Sequence, residues 1–178
     1  MIARRTAALL AATVLAAALS ACAPTASPTP SPTATGFASE EEAFAAAEAT
    51  YRAYVDALNE VDLSDPATFE PVYAQTTGEA LSSEKKGLTE YHSSGLRVSG
   101  QTEIVLIEGT SWDRTSGSIT LDACTDVSAI DVVNADGESQ VSPDRPDIQT
   151  IRVTVVPLST AGALKISSIG SRQDGPPC

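Results

Sequence analysis

Apolar residues change their spacing once along this chain, at Gly95, and that change orders its elements before anything else is considered. Upstream, Phe44, Ala47, Tyr51, Tyr54, Val55 and Leu58 recur at helical intervals, which lines them along one face of a helix ending near Asn59. Ser39-Glu40-Glu41-Glu42 opens that helix as a capping box, the serine hydroxyl accepting from the amide of Glu42 and the Glu42 carboxylate reaching back. Ser64-Asp65-Pro66 starts a second, shorter helix with Phe69, Val72 and Tyr73, since proline is favoured at the first helical position. A third begins at Thr77 and carries Leu81, Leu88 and Tyr91 inward. Downstream of Gly95 the period becomes two. Leu96 to Ile107 reads as one strand, with Val98, Thr102, Ile104 and Leu106 on one face and Val105 and Ile107 on the other. Ser118 to Thr125 alternates through Ile119, Leu121 and Ala123, and further strands cover 129–133, 149–156 and 164–169. Helices first and about five antiparallel strands second predict an α+β domain, with the N-terminal helices packed on a curved antiparallel sheet.

The first residues predict where such a domain resides. Arg4 and Arg5 precede an uncharged run from Thr6 to Leu19, too short to span a bilayer and suited to an export signal. Leu19-Ser20-Ala21-Cys22 closes it and resembles a bacterial lipobox, with cleavage between Ala21 and Cys22 and a lipid on the Cys22 sulfur. An ordinary secretory signal cut near Ala21 or Ala23 is the alternative. On the lipobox reading residues 1–21 are a signal peptide, 22–38 the lipidated cysteine with a disordered linker, and 39–178 the folded domain. The linker repeats proline at 24, 28, 30 and 32 among Ser, Thr and Ala, so it stays extended at about 3.1 Å per residue. The expected partner is the lipid bilayer, reached through Cys22 on the extracytoplasmic face of the cell membrane. The formal net charge of −12 speaks against nucleic acid and against docking on anionic lipid through a basic patch.

With Cys22 lipidated, Cys124 and Cys178 remain in an oxidising compartment, and a disulfide between them is expected, two free thiols being the alternative. Catalytic and metal sets are harder to find. The single histidine, His92, stands at the end of the third helix, where a solvated side chain is expected, and no Gly-x-Ser-x-Gly elbow accompanies it. One histidine and two distant cysteines serve zinc poorly. Asn134-Ala135-Asp136-Gly137 touches a calcium-loop pattern, but Val132 and Pro143 occupy ligand positions, so it reads as a hairpin turn. No metal, cofactor or catalytic set is expected.

Tyr51 to Asn59, Asp65 to Tyr73, Ala123-Cys124-Thr125-Asp126-Val127-Ser128 and Ser142-Pro143-Asp144-Arg145-Pro146 resemble cell-envelope lipoproteins of high-GC Gram-positive bacteria. The resemblance covers roughly residues 39 to 178 and implies a nuclear-transport-factor-2-like (NTF2-like) cone. Folds of that kind serve isomerases, dehydratases and domains that only bind. In isomerases of the fold an acid or base and a tyrosine sit inside the cone, and Tyr51, Tyr54 and Trp112 are the candidate pocket residues here, with Asp122 and Asp126 as acids. The helical phase makes the tyrosines core residues, Asp122 falls on the outward phase of its strand, and Trp112 falls at a hairpin end. The expected function is therefore non-catalytic binding of a small apolar ligand or of another envelope protein. The alternatives are an isomerase or dehydratase using an acid–tyrosine pair, and a domain that assists assembly of a neighbour.

Overall fold

A computed structural model describes residues 36–158, 163–175 and 178. Residues 1–35, with the expected export signal, Cys22 and most of the expected linker, lie outside them. Helix α1 runs Glu40–Asn59, and Ser39 Oγ accepts from the Glu42 amide at 3.1 Å. The Glu42 carboxylate reaches one residue further than a strict capping box, accepting from Ala38 N at 2.8 Å. The next segment divides in two: a 3₁₀ turn, Pro66–Phe69, whose cap Asp65 accepts from the Ala67 amide, and then helix α2, Glu70–Gln75. Helix α3 runs Gly78–Ser93.

Six strands follow rather than about five: β1 Arg97–Ser99, β2 Glu103–Trp112, β3 Ile119–Asp126, β4 Asp131–Val133, β5 Ile148–Pro157 and β6 Leu164–Ser171. β2, β3, β5 and β6 form one antiparallel sheet in that order, and β1 pairs with β4 as a separate two-stranded sheet. The segment expected as one strand from Leu96 to Ile107 is thus broken between two sheets. A register shift between Ile104 and Leu106 breaks its alternation as well. Ile104 and Ile107 pack on the core, while Val105 and Leu106 are exposed, so Leu106 does not share the face of Ile104. An extra residue in one strand turns the following side chains over, which is the physical reason for the difference.

One face of the sheet and the helices make the core. Ile119, Leu121, Val153, Val155 and Ile166 are fully buried, and Val72 of α2 joins them. α1 meets this face through Ala43 and Ala47, also fully buried, whose small side chains let the helix lie close. The other face carries Asp122, Cys124 and Arg152, covered by the C-terminal segment. Cys124 and Cys178 are joined by a disulfide, which fixes that segment across the sheet. Phe37, placed in the linker by composition, meets Trp112 edge-on at 6.2 Å and packs against the core. Among the described residues no helix is long and apolar enough to cross a membrane.

Candidate functional site

The end of α1, the segment after it, α3 and the small sheet enclose an open groove of about 430 Å³. Its walls are mixed: Leu58 at the end of α1, Val61 after it, Leu88 of α3, Val98 of β1 and Ile130 and Val132 around β4 are aliphatic, and Asn59, Thr102, Arg145 and Gln149 are polar. Val98 and Val132 stand opposite one another in the β1–β4 register. Local bonds hold these walls in place. Asn59 closes α1 on the start of β2, its Nδ2 donating to Thr102 O at 3.0 Å and its Oδ1 accepting from Thr102 N at 2.8 Å. His92, expected to be merely solvated, donates from Nδ1 to Leu63 O at 2.7 Å and so ties the segment after α1 to α3. Gly100, at φ +85°, passes so close to the Ala129 carbonyl that a Cβ would overlap it. Only glycine combines that dihedral with that approach.

Arg145 stands on the wall of this groove and of a second one, of about 380 Å³, which shares Tyr91, Val132 and Arg145 with the first. Its Nη2 donates to Val127 O at 2.7 Å and to Ile130 O at 2.9 Å, which holds the β3–β4 connection. Tyr91, expected inward on α3, is 46% exposed and borders both grooves, and the position buried at the start of α3 is Ala80.

The candidate pocket residues named from sequence are not brought together at this groove. Tyr51 and Tyr54 are core residues of α1, their rings stacked with centroids 6.0 Å apart. Burial pushes the Tyr51 hydroxyl up to about 12. Tyr54 Oη donates to Glu84 Oε1 at 2.6 Å, and burial followed by the Glu84 carboxylate raises its pKa too. Burial raises Glu84 above the usual glutamate range, and the tyrosine bond offsets part of this. Sequence reasoning passed over Glu84, although the spacing Ala80–Glu84–Leu88 places it on the buried face of α3. Trp112 is covered by Phe37 and by Arg114, whose guanidinium lies 4.4 Å from the ring centroid. Asp122 falls on the outer face, where Arg152 holds it bidentately at 2.8 and 3.0 Å and binds Asp174 as well. Asp126 caps its own loop by accepting from Ser128 N at 2.8 Å. Asn134 Oδ1 accepts from Asp136 N and Glu138 N, and Gly137 has φ +82°, the geometry of a turn. No group of three or more His, Cys, Asp or Glu side chains suited to a metal occurs among the described residues. Cys22 and Ala21 lie outside those residues.

No family model matches the chain, and no curated protein sequence matches it. Solved structures do resemble it. The intermembrane space region of the chloroplast protein ARC6 superposes with a TM-score of 0.50 at 13% identity, over 72% of this chain and 95% of that one. A candidate aromatic ring hydroxylase from Novosphingobium aromaticivorans gives 0.50 at 12% identity, over 74% and 88%. At such identities the likeness concerns backbone architecture alone. Helices laid on one face of a curved antiparallel sheet, in this order, give the chain the NTF2-like fold.

Proposed function

We propose that the chain is an exported lipoprotein whose NTF2-like domain works as a non-catalytic binding module, held by lipid on Cys22 at the extracytoplasmic face of the cell membrane. The observation that carries the binding reading is the distribution of space. The centre of the cone is filled by Ile119, Leu121, Val153, Val155 and Ile166, whereas a partly aliphatic groove of about 430 Å³ stands open beside it. That volume falls within the range of about 300–1,000 Å³ usual for small-molecule sites. The tether rests on Arg4 and Arg5, the apolar run and Leu19-Ser20-Ala21-Cys22 in register. Two or three acyl chains on one cysteine give durable membrane attachment where a single chain does not.

Native mass spectrometry of the protein extracted from its own membrane, followed by denaturing mass analysis, tests both halves. Acyl mass on Cys22 and a releasable molecule are the expected results, and Cys22→Ala should move the protein out of the membrane fraction. A Cys22→Ala protein that stays membrane-bound would refute the tether. A lipidated protein that arrives empty and binds only other envelope proteins would make the groove a protein contact.

One observation favours a second reading, an isomerase or dehydratase. Tyr54 and Glu84 form an acid–tyrosine pair of the kind such chemistry needs, with burial raising the carboxyl above its ordinary value. Incubating the protein with its extracted ligand in deuterium oxide decides between the two. Deuterium entering the ligand, and failing to enter with Glu84→Gln, would establish the enzyme. An unlabelled ligand would leave the binding module.

A further inference from the structure

We infer that the groove takes an amphipathic carboxylate, its aliphatic chain along Leu58, Val61 and Leu88 and its headgroup on Arg145. This rests on the binding reading and names the ligand class. The first support is charge. Arg152 binds two carboxylates on the outer face, Asp122 and Asp174, and Arg172 lies 3.7 Å from Asp122. Arg52, Arg97, Arg114 and Arg145 have no carboxylate within 4.0 Å among the described residues, and of these four only Arg145 lines the groove. The second support is hydrogen-bond supply. A guanidinium has five N–H donors in a fixed fork. The two bonds to Val127 O and Ile130 O both leave from Nη2, so holding the β3–β4 connection accounts for one edge of the group. The loop bonds also fix the plane of the guanidinium in advance, so little side-chain entropy is lost on binding an anion.

The third support is the lining. Leu58, Val61, Leu88, Val98, Ile130 and Val132 all line the groove, and their side chains fit a flexible aliphatic chain. Arg145 stands where the two grooves share a wall, so a carboxylate set on it has apolar space beside it on either hand. A neutral apolar molecule would leave the guanidinium without a counter-charge in a site it helps to desolvate, and this cost selects the anion. An anion lacking a chain would leave the aliphatic walls wet.

Isothermal titration calorimetry on the full chain carrying Cys22→Ala, oxidised and free of detergent, tests this with octanoate and decanoate below their micelle concentrations and decan-1-ol below its solubility limit. Decanoate should bind about tenfold tighter than decan-1-ol, the order of one charge-assisted pair. Each methylene from octanoate to decanoate should tighten binding by up to about fourfold. Arg145→Gln should bring decanoate down to decan-1-ol, and Val98→Trp should remove both. Because Arg145 also holds a loop, the acid–alcohol comparison on the unsubstituted groove stands even where Arg145→Gln folds poorly. Equal binding of acid and alcohol would overturn the carboxylate assignment and leave the binding module standing. Binding of neither would overturn the amphiphile itself. A different molecule released from the membrane-extracted protein would then still support the binding module, and an empty one would not.

Discussion

Single residues decide whether the sheet and its helix can approach. Gly109 of β2 lies under the ring of Phe44, and a Cβ at that position would overlap the ring carbons. Gly109→Ala should therefore lower stability by about 1–3 kcal/mol, the usual cost of overpacking. In a Phe44→Ala background the same change should cost much less, which equilibrium denaturation of the double-mutant cycle reads directly; equal costs in both backgrounds would exclude the ring as the cause. Charge on the outer face gives a second expectation. Hydrogen bonds from Arg152 hold Asp122 below its ordinary value near 3.8, burial opposes this, and the charges of Arg152 and Arg172 add to it. A depressed folded pKa means that its contribution is present above the unfolded pKa and is lost as pH falls through the folded one. Asp122→Asn should therefore flatten the acid side of the stability profile, measured by urea denaturation from about pH 5 down to about pH 2. Glu84 carries the opposite sign. Its raised pKa contributes stability below its ordinary value near 4.5, and that contribution is lost as pH rises through the folded value. Glu84→Gln, which keeps an acceptor for Tyr54, should remove that decline and leave the acid limb of Asp122 in place.

Elements differ in how far they could be read in advance, and the difference follows the range of the interactions that set them. α1 was legible because its cap and its stripe are local: Ser39, Glu42 and the run from Phe44 to Leu58 lie within one stretch. β3 was legible because Ile119, Leu121 and Ala123 alternate without interruption against the core. β2 was not, since its register shift exists only in its pairing with β3. Unbroken alternation would give Val105 and Ile107 the same environment. With the shift, Val105 is 62% exposed and Ile107 packs on the core. Val105→Thr should then stay within about 0.5 kcal/mol of the parent. Ile107→Ala should cost about 1–3 kcal/mol, since the site is only partly buried. Equal responses in thermal unfolding would contradict the shifted register. None of the pocket residues named from sequence lines the groove. Glu84, bonded to Tyr54 away from the groove, could have been found from its spacing on α3. Arg145 could not, because the carbonyls that fix it lie 15 and 18 positions away, on a connection whose path depends on β1 meeting β4.

At the scale of the whole molecule, the last third of the chain is held as a closed loop. Cys124 of β3 and Cys178 are separated by 54 positions, so the disulfide encloses β4, β5 and β6. Neither cysteine belongs to the cluster that fills the cone. The staple therefore acts chiefly on the unfolded chain, whose freedom it restricts by about 4 kcal/mol in the chain-entropy model. Two consequences follow for a Cys124→Ser/Cys178→Ser variant compared with the oxidised parent. Stability should fall by up to that amount while the near-ultraviolet dichroism of the folded state keeps its aromatic bands and loses only the broad contribution of the disulfide itself, because the aromatic side chains of the core are untouched. The urea m-value should rise, because an unfolded chain without the cross-link exposes more surface. A fall in stability with an unchanged m-value would point instead to the folded state, with the C-terminal segment leaving Asp122 and Arg152 on the outer face. The same reasoning links the staple to the proposed compartment. A domain that depends on this bond for several kcal/mol is at its most stable where thiols are oxidised, which is where the sequence from Arg4 to Cys22 would deliver it.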